Sequence, residues 1–250
     1  MSDLTSPPPP PPPGDDALDA VAVLADPVRR ALYRHVAAAQ GPVGRAAAAD
    51  AVGIQRTLAA FHLDKLVEAR LLSTEFARPA GRSGPGAGRP AKLYRRSAVE
   101  TSVSLPPRAY DTAGQILADA VERAGADRAV RGAAYDTGLV AGRTLGGPPA
   151  EGADEHDRVV AALTARGYEP VPAAADEPHG ASRILLRNCP FHQLAEDFPP
   201  LVCGMNLALL EGLLDGLGAS GYRAGLDSVP GRCCVVVERA TGANQEGSTG

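Results

Sequence analysis

The chain lacks a Gly-rich phosphate loop, a Gly-x-Ser-x-Gly elbow and a His-Glu-x-x-His pair. Their absence removes the sequence warrant for phosphate-loop, serine-hydrolase and zinc-peptidase chemistry. No run of about 18 apolar residues occurs, so no transmembrane helix is expected. The N-terminus has no basic stretch leading into an apolar one, so no signal peptide is expected. Cysteine is scarce, with four in 250 residues. Without an export signal these four are read as thiols or metal ligands rather than disulfides, and the cytoplasm is the expected compartment. No internal repeat is visible.

What is present is unevenly spread. A hydrophobic content of 44% supports a packed core, and the length suits one large or two modest domains. Residues 18 to 97 hold 13 Lys/Arg against 6 Asp/Glu, a net of +7. Residues 98 to 250 hold 12 against 20, a net of −8. The basic half can neutralise phosphates, and the acidic half is not expected to lie on nucleic acid. Residues 1 to 16 include the run Pro7 to Pro13 and read as an extended polyproline arm. A scaffold role for that arm is a third-rank alternative. The last ten residues, 241 to 250, read as a disordered polar tail.

The fold class expected is α+β, with an N-terminal domain over 17–100 and a linker helix plus α+β domain over 101–240. A helix is expected over Ala17–Leu24. Asp26-Pro27 then supplies a cap and a first-turn proline for a helix reaching about Ala39, with Val28, Ala31, Leu32, His35 and Val36 inward. Gly41-Pro42 ends it. A short helix over Ala46–Val52 is closed by Gly53. A third helix covers Gln55–Ala69, with Ala59, Leu63, Leu66 and Val67 on one side at helical spacing. Thr57, Ala60, Phe61 and Asp64 fall on the other. Leu71–Phe76 and Lys92–Arg95 read as two strands flanking a Gly/Pro/Arg-rich tip over 78–90. Helices over Asp111–Ala124, Arg128–Gly142, His156–Arg166 and Leu201–Leu217 follow, with strands over Arg183–Arg187 and Cys233–Glu238. The helix at Asp111 is expected to link the domains or pair two subunits.

A helix entering the major groove reads bases through side chains near its N-terminal end. Here those are Gln55, Arg56 and Thr57, then Ala60 and Phe61 one turn on. Gln suits adenine, Arg suits guanine, and Phe61 suits a thymine methyl or a sugar. Lys65 is placed for a backbone phosphate. Arg89 on a narrow tip suits a minor groove, with Arg82, Lys92 and Arg95 as phosphate contacts. Taken singly, an amphipathic helix or a surface arginine is common and is usually only solvated.

The ordered set carries more. Leu24-Ala25-Asp26-Pro27-Val28-Arg29-Arg30, Val52-Gly53-Ile54, Phe61-His62-Leu63-Asp64-Lys65-Leu66 and the Gly88-Arg89-Pro90 tip resemble the winged helix-turn-helix regulators of the ArsR/DeoR type. The resemblance covers about residues 18 to 97. It implies a homodimer on an inverted-repeat operator in double-stranded DNA, with repression expected because a bound dimer occludes a promoter. One departure is Arg70, where relatives usually carry a helix-ending glycine.

The cysteines are spaced Cys189-x13-Cys203-x29-Cys233-Cys234. Cys189 follows an expected strand, Cys203 opens an expected helix, and the pair opens the last expected strand. Thiolates suit zinc and iron–sulfur clusters, and a helix N-terminus favours the Cys203 thiolate. Neighbouring side chains on a strand point to opposite faces. Cys233 and Cys234 are therefore not expected at one site together, which leaves three cysteines and a fourth position. His192, Cys234, a carboxylate, water or another molecule can fill it. The plain alternative is core packing, since cysteine is among the most buried residue types.

Asn188-Cys189-Pro190-Phe191, Cys203 and Gly231-Arg232-Cys233 are similar to the SufR-type iron–sulfur regulators. This thinner resemblance covers about residues 108 to 238. It implies Cys189, Cys203 and Cys233 as ligands of an Fe–S cluster whose state controls DNA binding. Valines after Cys234 depart from the family, and the fourth ligand has no support there. The alternative is a winged-helix regulator sensing zinc, a small apolar ligand or thiol oxidation. An enzyme using Cys189 or Cys203 as nucleophile beside His192 lacks a positioned third group and is set aside.

Overall fold

The structure is a computed structural model that describes residues 15–39, 41–77, 90–106, 108–146, 154–173, 183–229 and 232–240. The expected polyproline run, the tip residues Arg82 and Arg89 and the polar tail lie outside the described residues. The chain is α+β, with two small antiparallel sheets in two compact units. The units divide between Ala109 and Tyr110, later than the boundary drawn at residue 100.

Unit 1 runs α1 (Asp15–Val23), α2 (Pro27–Ala38), β1 (Val43–Gly44), α3 (Arg45–Val52), α4 (Arg56–Glu68), β2 (Leu72–Ala77) and β3 (Ala91–Arg96). Asp15 and Asp16 thus belong to α1 and not to the arm. The Asp26 carboxylate caps α2, accepting from the Val28 and Arg29 amides at 2.9 Å each. Leu32 and Val36 are buried, while Val28, Ala31 and His35 are half-buried. Gly53 closes α3 in the left-handed region, at φ 72°. The sheet has the order β1-β3-β2, with Val43 opposite Tyr94 and Leu72 opposite Arg96. The two-residue β1 had no signal of its own; tertiary pairing with β3 makes it a strand. Leu32, Val36, Ala48, Ala49, Ala59, Leu63, Leu66 and Tyr94 form the core.

The end of α4 settles the Arg70 departure. Arg70 takes φ 59° and does a glycine's work. Its amide bonds to the Val67 carbonyl, and the Leu71 amide to that of Leu66. That is a Schellman closure with a non-glycine at its left-handed position, which costs roughly 1–2 kcal/mol.

Unit 2 runs α5 (Tyr110–Ala124), α6 (Asp127–Leu145), α7 (Glu155–Ala165), β4 (Pro170–Pro172), β5 (Arg183–Leu186), α8 (His192–Asp197), α9 (Pro199–Leu217), β6 (Tyr222–Leu226) and β7 (Val235–Arg239). Asp154 caps α7 through the His156 amide, with Glu155 and Asp157 in the first turn. The sheet order is β4-β5-β7-β6. Ile184, Leu186, Val235 and Val237 face one core with Val159 and Leu163 of α7 and Leu210, Leu213 and Leu217 of α9. Leu185 and Val236 face the opposite side, as strand alternation requires.

Glycines set the spacing of α6 and α9. A Cβ on Gly138 would overlap the Leu209 carbonyl oxygen, and one on Gly212 that of Tyr135. Gly142 and Gly216 repeat the contact one turn on. On α9 Leu210, Leu213, Leu214 and Leu217 are buried and Leu207 is half-buried. Among the described residues, α9 is the one helix long and apolar enough to cross a membrane by length and composition. No such helix was expected from the sequence. Its apolar side chains pack here into the core of unit 2.

Candidate functional site

Two sets of side chains were anticipated, one in each unit. In unit 1 the apolar stripe of α4 docks the helix. Ala59, Leu63 and Leu66 are fully buried, and Val67 is half-buried. His62 is buried too, edge-on to Phe61 at 5.3 Å between ring centroids. Gln55 stands at the N-cap with extended backbone and no capping bond from its amide. Gln55, Arg56, Thr57 and Phe61 are exposed, with Phe61 55% accessible, and Ala60 is half-buried. Arg56 has no ion pair among the described residues.

Of the anticipated phosphate contacts, the three that are described, Lys65, Lys92 and Arg95, are internally paired. Lys65 bonds Glu68 at 2.6 Å, and Arg95 bonds Glu75 at 2.8 Å. Lys92 bonds Asp64 at 2.7 Å. The Lys65–Glu68 and Arg95–Glu75 pairs are mostly solvent-exposed and worth at most about 1 kcal/mol each, while Lys92–Asp64 is half-buried.

Asp64 needs correction. It was placed with the outward set of Thr57, Ala60 and Phe61, but its carboxylate accepts from Lys92 and, at 3.0 Å, from the Tyr94 hydroxyl. It joins α4 to β3. Burial opposes its ionisation, yet the Lys92 and Tyr94 hydrogen bonds outweigh that and hold its carboxyl below the usual range. Burial, then the bond to Asp64, pushes Tyr94 up to about 12.

In unit 2 all four cysteines converge. Cys189 sits in the turn after β5, where the Asn188 side chain accepts from the Glu169 amide at 2.6 Å and donates to the Gly167 carbonyl at 2.8 Å. Cys203 lies in the second turn of α9. It was expected to open that helix, but Pro199 does, so the dipole argument for its thiolate lapses beyond the first turn. Cys233 and Cys234 precede β7, which begins at Val235 and not at Cys233. Their backbone is irregular, so strand alternation does not separate them. The Cys233 amide bonds to the Leu186 carbonyl at 2.9 Å, and the Cys234 carbonyl accepts from Asp227 at 2.7 Å.

The thiols lie close enough to influence one another. Cys233 contacts Cys189 and Cys234, and Cys234 contacts Cys203. Bonds from Cys189 and Cys234, with help from the Val235 amide and Asn206, hold the buried Cys233 thiol well below its ordinary range against burial. Cys189 and Cys234 are pushed up, first by their bonds to Cys233 and then by burial.

Two further residues belong here. Asn206, with no solvent exposure, donates to Cys233 Sγ at 3.3 Å and accepts from the Tyr168 hydroxyl at 2.5 Å. Sequence reasoning missed both. The available signal was a lone amide in an apolar helix, three residues after Cys203 and so on the same face. His192 does not join them. It is exposed and faces Glu196 at 3.3 Å. Cys234, the other named candidate for the fourth position, is in the chain of thiols.

As they stand the thiols contact one another, and among the described residues no group of three or more His, Cys, Asp or Glu is spaced to hold a metal ion. The fit to a cluster lies in the donor set, four soft sulfurs with N–H donors aimed at one of them. Comparison of the chain with protein-family models, with curated proteins and with solved structures finds no match in any of the three.

Proposed function

We propose that the protein is a dimeric, cytoplasmic transcription regulator that binds a palindromic operator through unit 1 and senses through the thiols of unit 2. Unit 1 is read as a winged helix-turn-helix, with α4 as the recognition helix and β2, β3 and their tip as the wing. The observation that carries this is α4 itself. Its buried stripe docks it, and its N-terminal end leaves Gln55, Arg56, Thr57 and Phe61 free on a unit whose sequence is basic. Bases are read by such side chains, while phosphates attract the surrounding cations.

For unit 2 we propose an Fe–S cluster held by Cys189, Cys203 and Cys233, with Cys234 as fourth ligand. When bound, the cluster supplies a redox-sensitive charge whose gain or loss shifts the DNA-binding equilibrium. The chain's own part is to gather the sulfurs, shield Cys233 from water and direct donors at it. A second reading, sensing by thiol oxidation, is favoured by the direct contacts between thiols. An absorption spectrum of anaerobically reconstituted protein separates the two. Broad thiolate-to-iron absorption that Cys233→Ser abolishes supports the cluster. A colourless protein that forms disulfides on mild oxidation contradicts it.

A further inference from the structure

Among the described residues of unit 2, Asn206 is the one buried polar side chain. It stands on α9 among buried apolar residues such as Val202, Leu209 and Leu210. A buried amide is tolerated only when both its ends are bonded. Both are. The carbonyl end takes the Tyr168 hydroxyl at 2.5 Å, and the amino end gives a hydrogen to Cys233 Sγ at 3.3 Å. The first bond decides the second. A phenol donating to Oδ1 fixes the orientation of the amide, so Nδ2 must face the sulfur. The Val235 amide adds a backbone donor to that sulfur at 3.5 Å. Tyr168 is itself set by the turn that Asn188 clamps on either side of it, through Gly167 and Glu169.

We propose that Asn206 and Tyr168 are positioning residues for the sulfur centre, Asn206 giving Cys233 an N–H···S bond and Tyr168 holding that amide in the donating orientation. The inference rests on the reading of the thiols as a cluster site. N–H donors on ligand sulfurs stabilise the more negative, reduced form of a cluster and tune its potential. Neither residue touches the operator, and neither ligates metal; each acts through Cys233.

The full-length chain, reconstituted anaerobically with ferrous iron and sulfide, tests this by redox titration followed optically. Asn206→Leu lowers the ratio of reduced to oxidised cluster, measured at the wild-type midpoint, by roughly tenfold, the worth of a hydrogen bond to a charged partner. Tyr168→Phe gives a smaller change of the same sign, because the amide is freed to turn. The double variant Tyr168→Phe/Asn206→Leu removes both partners together, so it keeps the wild-type circular dichroism and still shows the lowered ratio. A double variant that folds and loads like wild type and titrates at the same midpoint overturns the inference alone. A wild-type chain that takes up no cluster removes the reading and the inference with it.

Discussion

Helices α4 and α9 are each built on a buried apolar stripe, yet they use their remaining faces in opposite ways. On α4 Asp64 ties the other face to β3, while the N-terminal end leaves Gln55, Arg56, Thr57 and Phe61 to solvent. On α9 little is spare. Glycines meet α6, leucines meet the sheet, and the face bearing Cys203 and Asn206 meets the other sulfurs. A site of the first kind needs one local segment and tolerates change around it. A site of the second kind needs α9, the turn after β5 and the approach to β7 together, and it fails when any of them shifts.

The largest expected effect breaks unit 2 while sparing unit 1. Gly212→Leu drives a side chain into the Tyr135 carbonyl and should cost about 3 kcal/mol or more. Hydrogen exchange should rise across α6 and α9 and stay unchanged across α4. Unchanged protection in α6 and α9 would show that the close approach of these helices is not needed.

Next in size are Arg56→Ala and Phe61→Ala. Each should weaken operator binding about tenfold or more, the range for a base contact, with melting nearly unmoved because both side chains are exposed. Fluorescence anisotropy with labelled operator checks this. A loss of stability that matches the loss of affinity would place them in packing instead.

A third comparison concerns pH. Asp64 is held below its ordinary range, so its contribution to unit 1 is present at neutral pH and lost as pH falls through the lowered value. Tyr94 is raised from 10.0 to about 12, so its contribution is full below pH 10.0 and lost as pH climbs towards 12. Melting temperature against pH should fall at both ends. Asp64→Asn should flatten the acid limb, only shorten the alkaline one because burial is the larger cause of the Tyr94 shift, and cost about 1 kcal/mol at neutral pH. An unaltered profile would remove Asp64 from the link between α4 and β3.

The smallest effect is at Arg70. Arg70→Gly should stabilise unit 1 by up to about 1 kcal/mol, the left-handed strain less the added freedom of the unfolded chain. A destabilised variant in urea titration would show that the arginine side chain does more than close the helix.

Features encoded by adjacent residues were legible in the sequence. The Asp26-Pro27 cap, Gly53 and the buried stripe of α4 each depend on positions a turn apart or less. Features that depend on what lies across the fold were not. Nothing near Val43 announces a strand, and nothing near Asp64 reveals Lys92 and Tyr94 as its partners. The glycines of α6 and α9 carry meaning only when the two helices face each other. Cys234 was separated from Cys233 on a strand rule that applies from Val235 onward, two residues too late to govern the pair. Asn206 and Tyr168 are 38 residues apart and meet only in the folded core.

If the sulfur centre of unit 2 governs DNA binding by unit 1, its loaded and stripped states bind the operator differently. A gel shift against the protein's own upstream region, with anaerobically loaded and cluster-stripped samples side by side, tests it most directly. Different affinities are expected for the two samples, and no difference in Cys189→Ser or Cys203→Ser. Equal, tight binding by both samples would contradict it, leaving unit 1 a DNA-binding unit and the four thiols outside its control.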